Sequence, residues 1–327
     1  MAHHKTEKLA IAYVHFYVDN LPHWETWFQK IFNLNSSNAT QEFPHLPQNS
    51  RLLKSDDLTI VISAPETSND SVSEYLKKHP SSVADIAFFV ETLHSFDVNL
   101  SSTKSAIIKN PVGFQHTLIQ SDNISKTNQM LDHLVLNVPQ GSLAKTADWY
   151  VETFGFKRKQ AFQIKTNYSG LSSQVLKHPS GVQIPINQPG DRRSQIQEFL
   201  DYNRGAGIQH IALKQQNLPQ QIHRLRQQGL AFLDVPQTYY SNLLKRHPYL
   251  QKLKEWPQVQ AEKILIDVVR SPDEMLMQIF TKPIFSEPTF FWEFIERRHQ
   301  AVGFGEGNFQ ALFEAIEQAQ KERLVTP

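Results

Sequence analysis

Hydrophobic and polar positions along the chain follow two periods that recur together. In "AYVHFYVDNLPHWETWFQKIFNL", from Ala12, an apolar strand-like run passes through a Pro-containing turn into a segment whose Trp and Phe residues fall at helical spacing. "LDHLVLNVPQGSLAKTADWYVETFGF", from Leu131, repeats that plan. Two weaker copies begin at "VADIAFFVETL" (Val83) and "GIQHIALKQQNL" (Gly207), and between the copies lie strand-like runs such as "LTIVISA", "SSQVLKHPSGVQIPI", "KILIDVV" and "EMLMQIFT". Each unit reads as one strand, one helix and about three strands. The four units make two pairs, separated by the polar stretch "QSDNISKTNQ" at residues 120–129, so the expected domains are 1–125 and 126–327. Helices are too few for a doubly wound sheet and no G-x-G-x-x-G turn follows a strand, so the fold class is α+β with curved, mostly antiparallel sheets.

Strand parity singles out three ionisable residues. In "LDHLVLNV" it puts Leu131, His133, Val135 and Asn137 on one face, and in "GIQHIAL" it puts His210 with Ile208 and Ala212. The two histidines thus occupy matching places in matching repeats. "TFFWEFIER" carries Glu293 on the face of Phe291 and Ile295, where an unpaired carboxylate costs roughly several kcal/mol and so calls for a cation. Any one of these residues alone reads more readily as a satisfied core group than as a ligand. Two imidazoles and a carboxylate on adjoining strands are together the set that holds ferrous iron on one face and leaves the other face open, although zinc, manganese and nickel also accept such ligation. Sliding the first pair of units onto the second puts Tyr13, Asp85 and His116 at the three positions, which is not a matched ligand set, so the first half is expected to lack the metal.

Composition narrows the function further. The chain has 327 residues, 40% of them hydrophobic, and its 33 Lys and Arg against 32 acidic residues give a net charge of +1. No large field attracts nucleic acid or an anionic membrane, and no run approaches the roughly 20 apolar residues of a membrane span. Neither partner is expected, nor is a signal peptide. Cysteine is absent, so any metal is held by nitrogen and oxygen, and a cytoplasmic location is expected. The glycines of "GFGEGNFQALFEAIEQAQKER" lack the strand and Lys-Ser/Thr of a phosphate loop; Asn308 is expected instead to cap a helix with Phe309, Leu312, Phe313 and Ile316 along one stripe.

From about residue 130 to residue 320, the stretches "LDHLVLNV", "YSGLSSQVL", "PINQP", "SQIQEFLDYNRGAGIQHIAL", "QIFTKP", "PTFFWEFIERR" and "GFGEGNFQALFEAIE" closely resemble the 4-hydroxyphenylpyruvate dioxygenase family of the vicinal-oxygen-chelate superfamily. The first 120 residues do so only in outline. The resemblance implies paired βαβββ modules forming two open barrels, and Fe(II) held by His133, His210 and Glu293. It implies an aromatic α-keto acid and O2 as partners, with decarboxylation, ring hydroxylation and side-chain migration giving homogentisate. It also implies Ser173, Asn187, Gln195, Gln209 and Gln278 around the substrate, with Gln195, Gln209 and Asn187 acting in catalysis. Phe280, Phe291 and Phe309 would wall the ring, a C-terminal helix hinged at glycines would close over the pocket, and a homo-oligomer (dimer or tetramer) would assemble. Two stretches depart from the family: "PINQP" has glutamine where glutamate is frequent, and "LLKRHPYLQKLKEWPQ" at residues 243–258 matches poorly and reads as a solvated surface helix and loop. Three other functions stay open: 4-hydroxymandelate synthase, against which the Pro185–Ile186–Asn187 run and Phe309 speak; a ring-cleaving dioxygenase or glyoxalase-like isomerase; and a metal-free binding protein.

Overall fold

The structure, a computed structural model, describes residues 8–94, 96, 104–124, 128–166, 169–305, 307–308 and 316. The first half contains β1 (Leu9–Tyr17), α1 (Leu21–Phe32), β2 (Asn35–Asn38), α2 (Ala39–Glu42), β3 (Ser50–Lys54), β4 (Thr59–Ser63), α3 (Ser71–Leu76), β5 (Ser82–Val90), β6 (Ser105–Lys109) and β7 (Gln115–Gln120). The second contains β8 (Leu131–Asn137), α4 (Leu143–Phe154), β9 (Lys157–Lys165), β10 (Gly170–Lys177), β11 (Gln183–Pro189), α5 (Gln195–Asn203), β12 (Gly207–Lys214), α6 (Leu218–Gln227), α7 (Gln237–Arg246), α8 (Trp256–Ala261), β13 (Leu265–Val268), β14 (Met275–Phe280) and β15 (Phe291–Arg297). The seven-stranded sheet runs β2-β3-β4-β1-β5-β7-β6, and the eight-stranded sheet runs β9-β10-β11-β8-β12-β15-β14-β13. In each, the first strand pairs in parallel with the last strand of its own module and antiparallel with the first strand of the next. The paired βαβββ reading of the sequence is therefore the architecture, built as two curled mixed sheets.

Local sequence explains the helices that back these sheets. Asn20 caps α1 by accepting from the His23 amide at 3.1 Å, Pro22 sits in the first turn, and Leu21, Trp24, Phe28 and Ile31 form its buried stripe. Asn33, at φ 54°, ends it in a left-handed turn. The stripe packs beyond its own sheet: Trp24 meets Phe285 at 4.5 Å and Phe28 meets Trp292 at 6.4 Å, while Phe16 of β1 meets Phe290 at 5.1 Å beside them. Helix α4 reciprocates, because the hydroxyl of its Tyr150 lies 2.8 Å from Nε2 of His116 on β7. The two halves thus share one aromatic core, in which fully burying a ring contributes about 1.5–3 kcal/mol. His116 belongs to this core, stacked between Phe88 and Trp149. It does not stand opposite Glu293 as the repeat alignment predicted; that place belongs to Thr117, because β5 pairs Asp85 with Gln115 and Phe88 with Leu118, as β12 pairs His210 with Phe291 and Leu213 with Phe294.

The pairing also corrects the parity of "GIQHIAL". Opposite β8, the partners jump from Ile208/Leu136 to His210/Val135, leaving Gln209 as the extra residue of a β-bulge. Ile208 consequently packs with Ile211 and Leu213 in the main core, while Gln209 and His210 both face the concave side. A second bulge makes Asp132 the extra residue of β8, next to His133. The segment at residues 243–258 forms the end of α7, a 3-10 turn and the start of α8. It is more than a solvated surface, since it buries Leu243, Leu250 and Trp256. Among the described residues no helix is long and apolar enough to cross a membrane.

Candidate metal centre

The strands of the second sheet bring three predicted residues to one point. Ala212 on β12 pairs with His133 on one side and Glu293 on the other, and His210 follows two residues before it on the same face. Nε2 of His133 lies 3.2 Å from Oε2 of Glu293, Nε2 of His210 lies 3.5 Å from the same oxygen, and one ligand atom from each residue falls within 4.8 Å of the others. All three are buried.

Their electrostatics follow from that crowding. Burial alone pushes an imidazole down, but the Glu293 carboxylate and the bond to Asp132 raise His133 to about 9. Burial likewise disfavours ionised Glu293, yet the two imidazoles hold it down at about 2. His210 goes the other way from His133: desolvation lowers it, and its share of Glu293 does not offset that. The cluster therefore carries one proton more than two neutral imidazoles and a carboxylate would, and a divalent cation that displaces it meets two neutral Nε2 atoms and a carboxylate. The donor set fits such a cation, because the three ligands come from one side and the other side opens on a cavity.

That cavity has a volume of about 70 Å³ open to the centres of water-sized molecules. Of the predicted substrate residues, Ser173, Asn187, Gln195, Gln209, Gln278, Phe280 and Phe291 all line it. Phe280 and Phe291 meet edge to face at 6.2 Å, and Phe291 stacks on the His210 ring at 4.8 Å. Gln278 donates to Oε1 of Glu293 at 2.9 Å and to the Phe304 carbonyl at 3.0 Å. Among the described residues, Ser173 Oγ, Gln195 Oε1 and His210 Nδ1 are buried without a hydrogen-bond partner, as suits walls that complete their bonds with a ligand.

Phe309, with Leu312 and Phe313, lies outside the described residues, while Ile316 is half-buried against the cavity. The first turn of the helix that Asn308 is expected to cap lies outside the described residues; the Asn308 side chain donates to Gln278 and accepts from the Tyr239 hydroxyl, both at 2.9 Å. The neighbouring glycines have a packing reason: a Cβ on Gly305 would lie 1.8 Å from the Gln278 amide oxygen, and one on Gly307 would lie 2.3 Å from an Asp267 carboxylate oxygen. Sequence reasoning passed over Phe304, whose ring stands 5.1 Å from that of His133, and the ion pair of Asp132 with Arg297 behind the same ligand. Adjacency to His133 was the one available signal for Asp132; nothing local marks Arg297.

Paired βαβββ modules with a two-imidazole, one-carboxylate centre on a concave sheet define a protein of the vicinal-oxygen-chelate class. The sequence pattern of the Glyoxalase/Bleomycin resistance protein/Dioxygenase superfamily matches residues 130–259. A 4-hydroxyphenylpyruvate dioxygenase of Danio rerio is 33% identical over 84% of this chain and 81% of its own length. The enzyme of that name from Legionella pneumophila is 47% identical over 59% of this chain and 55% of its own. The solved structure of a 4-hydroxymandelate synthase variant from Streptomyces coelicolor superposes with a TM-score of 0.82 at 24% identity, covering 95% of this chain and 98% of that one, which shows a shared fold. The chain belongs to the 4-hydroxyphenylpyruvate dioxygenase family and is an enzyme of it.

Proposed function

We propose that the enzyme converts 4-hydroxyphenylpyruvate and O2 to homogentisate and CO2, with Fe(II) held by His133, His210 and Glu293. The observation that carries this reading is the buried three-ligand cluster opening onto an aromatic-walled cavity fitted with neutral amides. When bound, the ferrous ion supplies the redox chemistry and the positions at which a keto acid and O2 are held. The protein does the rest. Phe280 and Phe291 wall the substrate ring, and the apolar lining keeps water from the reacting carbon. Ser173, Asn187, Gln195 and Gln209 orient the phenol and keto acid without adding a charge that competes with Glu293, and Gln195, Gln209 and Asn187 are the residues closest in role to catalysis. Gln278 keeps the Glu293 carboxylate aimed.

In this reading residues 126–327 form the catalytic domain and residues 1–125 a metal-free one. Family likeness alone supports a homo-oligomer acting in tyrosine catabolism in the cytoplasm. Oxygen uptake with 4-hydroxyphenylpyruvate, with and without Fe(II), followed by product identification, tests the proposal. Homogentisate is the expected product. 4-Hydroxymandelate would instead mean oxidation at the benzylic carbon, and a chain that neither consumes O2 nor binds one Fe(II) would be a binding protein of the same fold.

A further inference from the structure

Behind the metal centre lies a chain of bonds that the proposed reaction does not use. Nδ1 of His133 lies 2.9 Å from Oδ1 of Asp132, a buried carboxylate. Arg297 grips that carboxylate with both prongs, Nε to Oδ2 at 2.8 Å and Nη2 to Oδ1 at 2.7 Å. Its remaining nitrogen, Nη1, donates to the carbonyls of Ala301 at 3.1 Å and Gly303 at 2.8 Å. One guanidinium therefore joins a ligand's supporting carboxylate to the backbone leaving β15. One residue on, the Phe304 ring stands edge-on to the His133 ring and the Phe304 carbonyl accepts from Gln278, which also holds Glu293. Two of the three ligands are thus tied to a single five-residue strap, 301–305.

The first half of the molecule supplies an internal control. Its β1 carries a bulge at the position equivalent to that of Asp132, and the extra residue there is Ala12, beside Tyr13. Counting from Thr117, the equivalent of Glu293, the place of Arg297 falls on Ser121. Where the ligands are missing, the same backbone device lacks both the carboxylate and the guanidinium.

We propose that Asp132 and Arg297 are positioning residues that couple docking of the 301–305 strap to orientation of the His133 imidazole, so that strap and metal stabilise each other. The inference rests on the metal-centre reading. A carboxylate behind a ligating imidazole fixes its tautomer and raises its basicity, and losing one typically costs about 10- to 100-fold in metal affinity. Because coupling is reciprocal, metal must tighten the strap by the factor by which the docked strap tightens metal.

The test is anaerobic Co(II) titration of the full chain, read by visible absorption and by competition with a chromophoric chelator, with backbone hydrogen exchange at residues 301–305 measured with and without the ion. Expected for the unaltered protein are tight binding and slower strap exchange with Co(II). Asp132→Asn, which retains an acceptor for His133, and Arg297→Gln should each weaken Co(II) binding about 10- to 100-fold. Each should also shift the ligand-field bands and leave strap exchange insensitive to metal. Arg297→Lys keeps the charge but cannot span a carboxylate and two carbonyls, so it should fail nearly as badly, and it stands in should the Gln variant not fold. Unchanged affinity and spectrum in Asp132→Asn and Arg297→Lys, with only a lower melting temperature, would overturn the proposal by showing a structural pair. Should the unaltered protein take up no Co(II), the metal-centre reading falls and takes this inference with it.

Discussion

The two sheets are built to one plan and put to different uses. Strand for strand, β1, β5 and β7 correspond to β8, β12 and β15, and even the two bulges recur, at Ala12 and Ala84 in one half and at Asp132 and Gln209 in the other. At the three ligand positions the first half carries Tyr13, Asp85 and Thr117, so it has one carboxylate, a phenol and a hydroxyl where the second has a cation site. Its concave face is also filled: Tyr13, Leu52, Val61 and Ala87 pack under Ala39, Phe43 and Leu46, from α2 and the turn after it, with the Tyr13 and Phe43 rings 4.9 Å apart. The second half leaves that volume open between Phe280, Phe291 and Ser173. Backbone geometry alone therefore does not make the site. It is made by which side chains stand on the two bulges and three ligand positions, and by whether a plug covers them.

The largest effect should separate the halves outright. His133→Ala, His210→Ala and Glu293→Gln are each expected to lower turnover more than about a thousandfold, roughly 4 kcal/mol in the barrier, while the melting temperature changes little. Asp85→Asn and Thr117→Val should leave turnover within about twofold. Steady-state kinetics on Fe(II)-loaded protein decide. Comparable losses from both groups would mean that the first half takes part in the chemistry and that the comparison drawn above is wrong.

How far the sequence could show this contrast depends on the range of the information. Strand alternation and helical stripes are local, so the repeats and the strands carrying His133, His210 and Glu293 were legible, as was the shared cavity face of Gln278 and Phe280. The bulges were not. No glycine marks Gln209 or Asp132 as an extra residue, so parity put Ile208 on the wrong face. His116 was misaligned by a single position, which in a strand reverses the side chain, because the repeat there is too weak to fix register. Arg297 reaches Asp132 across 165 residues, a pairing that no local pattern encodes.

A smaller effect, but of opposite sign, is expected from the carboxylate stranded in the first half. Asp85 is fully buried; its Oδ1 accepts from the Thr117 amide at 2.8 Å and its Oδ2 has no hydrogen-bond partner among the described residues. Burial raises it from the ordinary 3.8 to about 7. Between those values the folded chain keeps a proton that the unfolded chain has released, so stability falls as pH rises through this window and is lowest above it. Asp85→Asn retains the acceptor for Thr117 and cannot ionise. It should raise the folding stability at pH 8 by an amount on the order of a few kcal/mol, and the melting temperature with it, and give little gain near pH 4. A melting temperature lower than that of the unaltered protein at pH 8 would show that ionised Asp85 is stabilised by something in the first half, contrary to its reading as a remnant.

The finest probe of the comparison is Tyr13→Phe, which removes one oxygen from the position corresponding to a metal ligand. The Tyr13 ring is fully buried against Phe43, and its hydroxyl lies 2.9 Å from Nε2 of His45, a solvent-exposed side chain. Burial, and then the Asp85 charge, push its ionisation well above the usual phenol value, so the hydroxyl stays neutral wherever an ordinary phenol does. If Tyr13 is only packing, with one bond to a side chain that water can satisfy instead, the variant should lose no more than about 1 kcal/mol in chemical denaturation and keep full turnover. A larger loss, or one that depends on whether Asp85 is present in a double-mutant cycle with Asp85→Asn, would mean that phenol and carboxylate act as a unit. The first sheet would then hold an organised polar site of its own at the place where the second holds its metal, and the two halves would differ in the chemistry of their sites and not in whether one of them has a site.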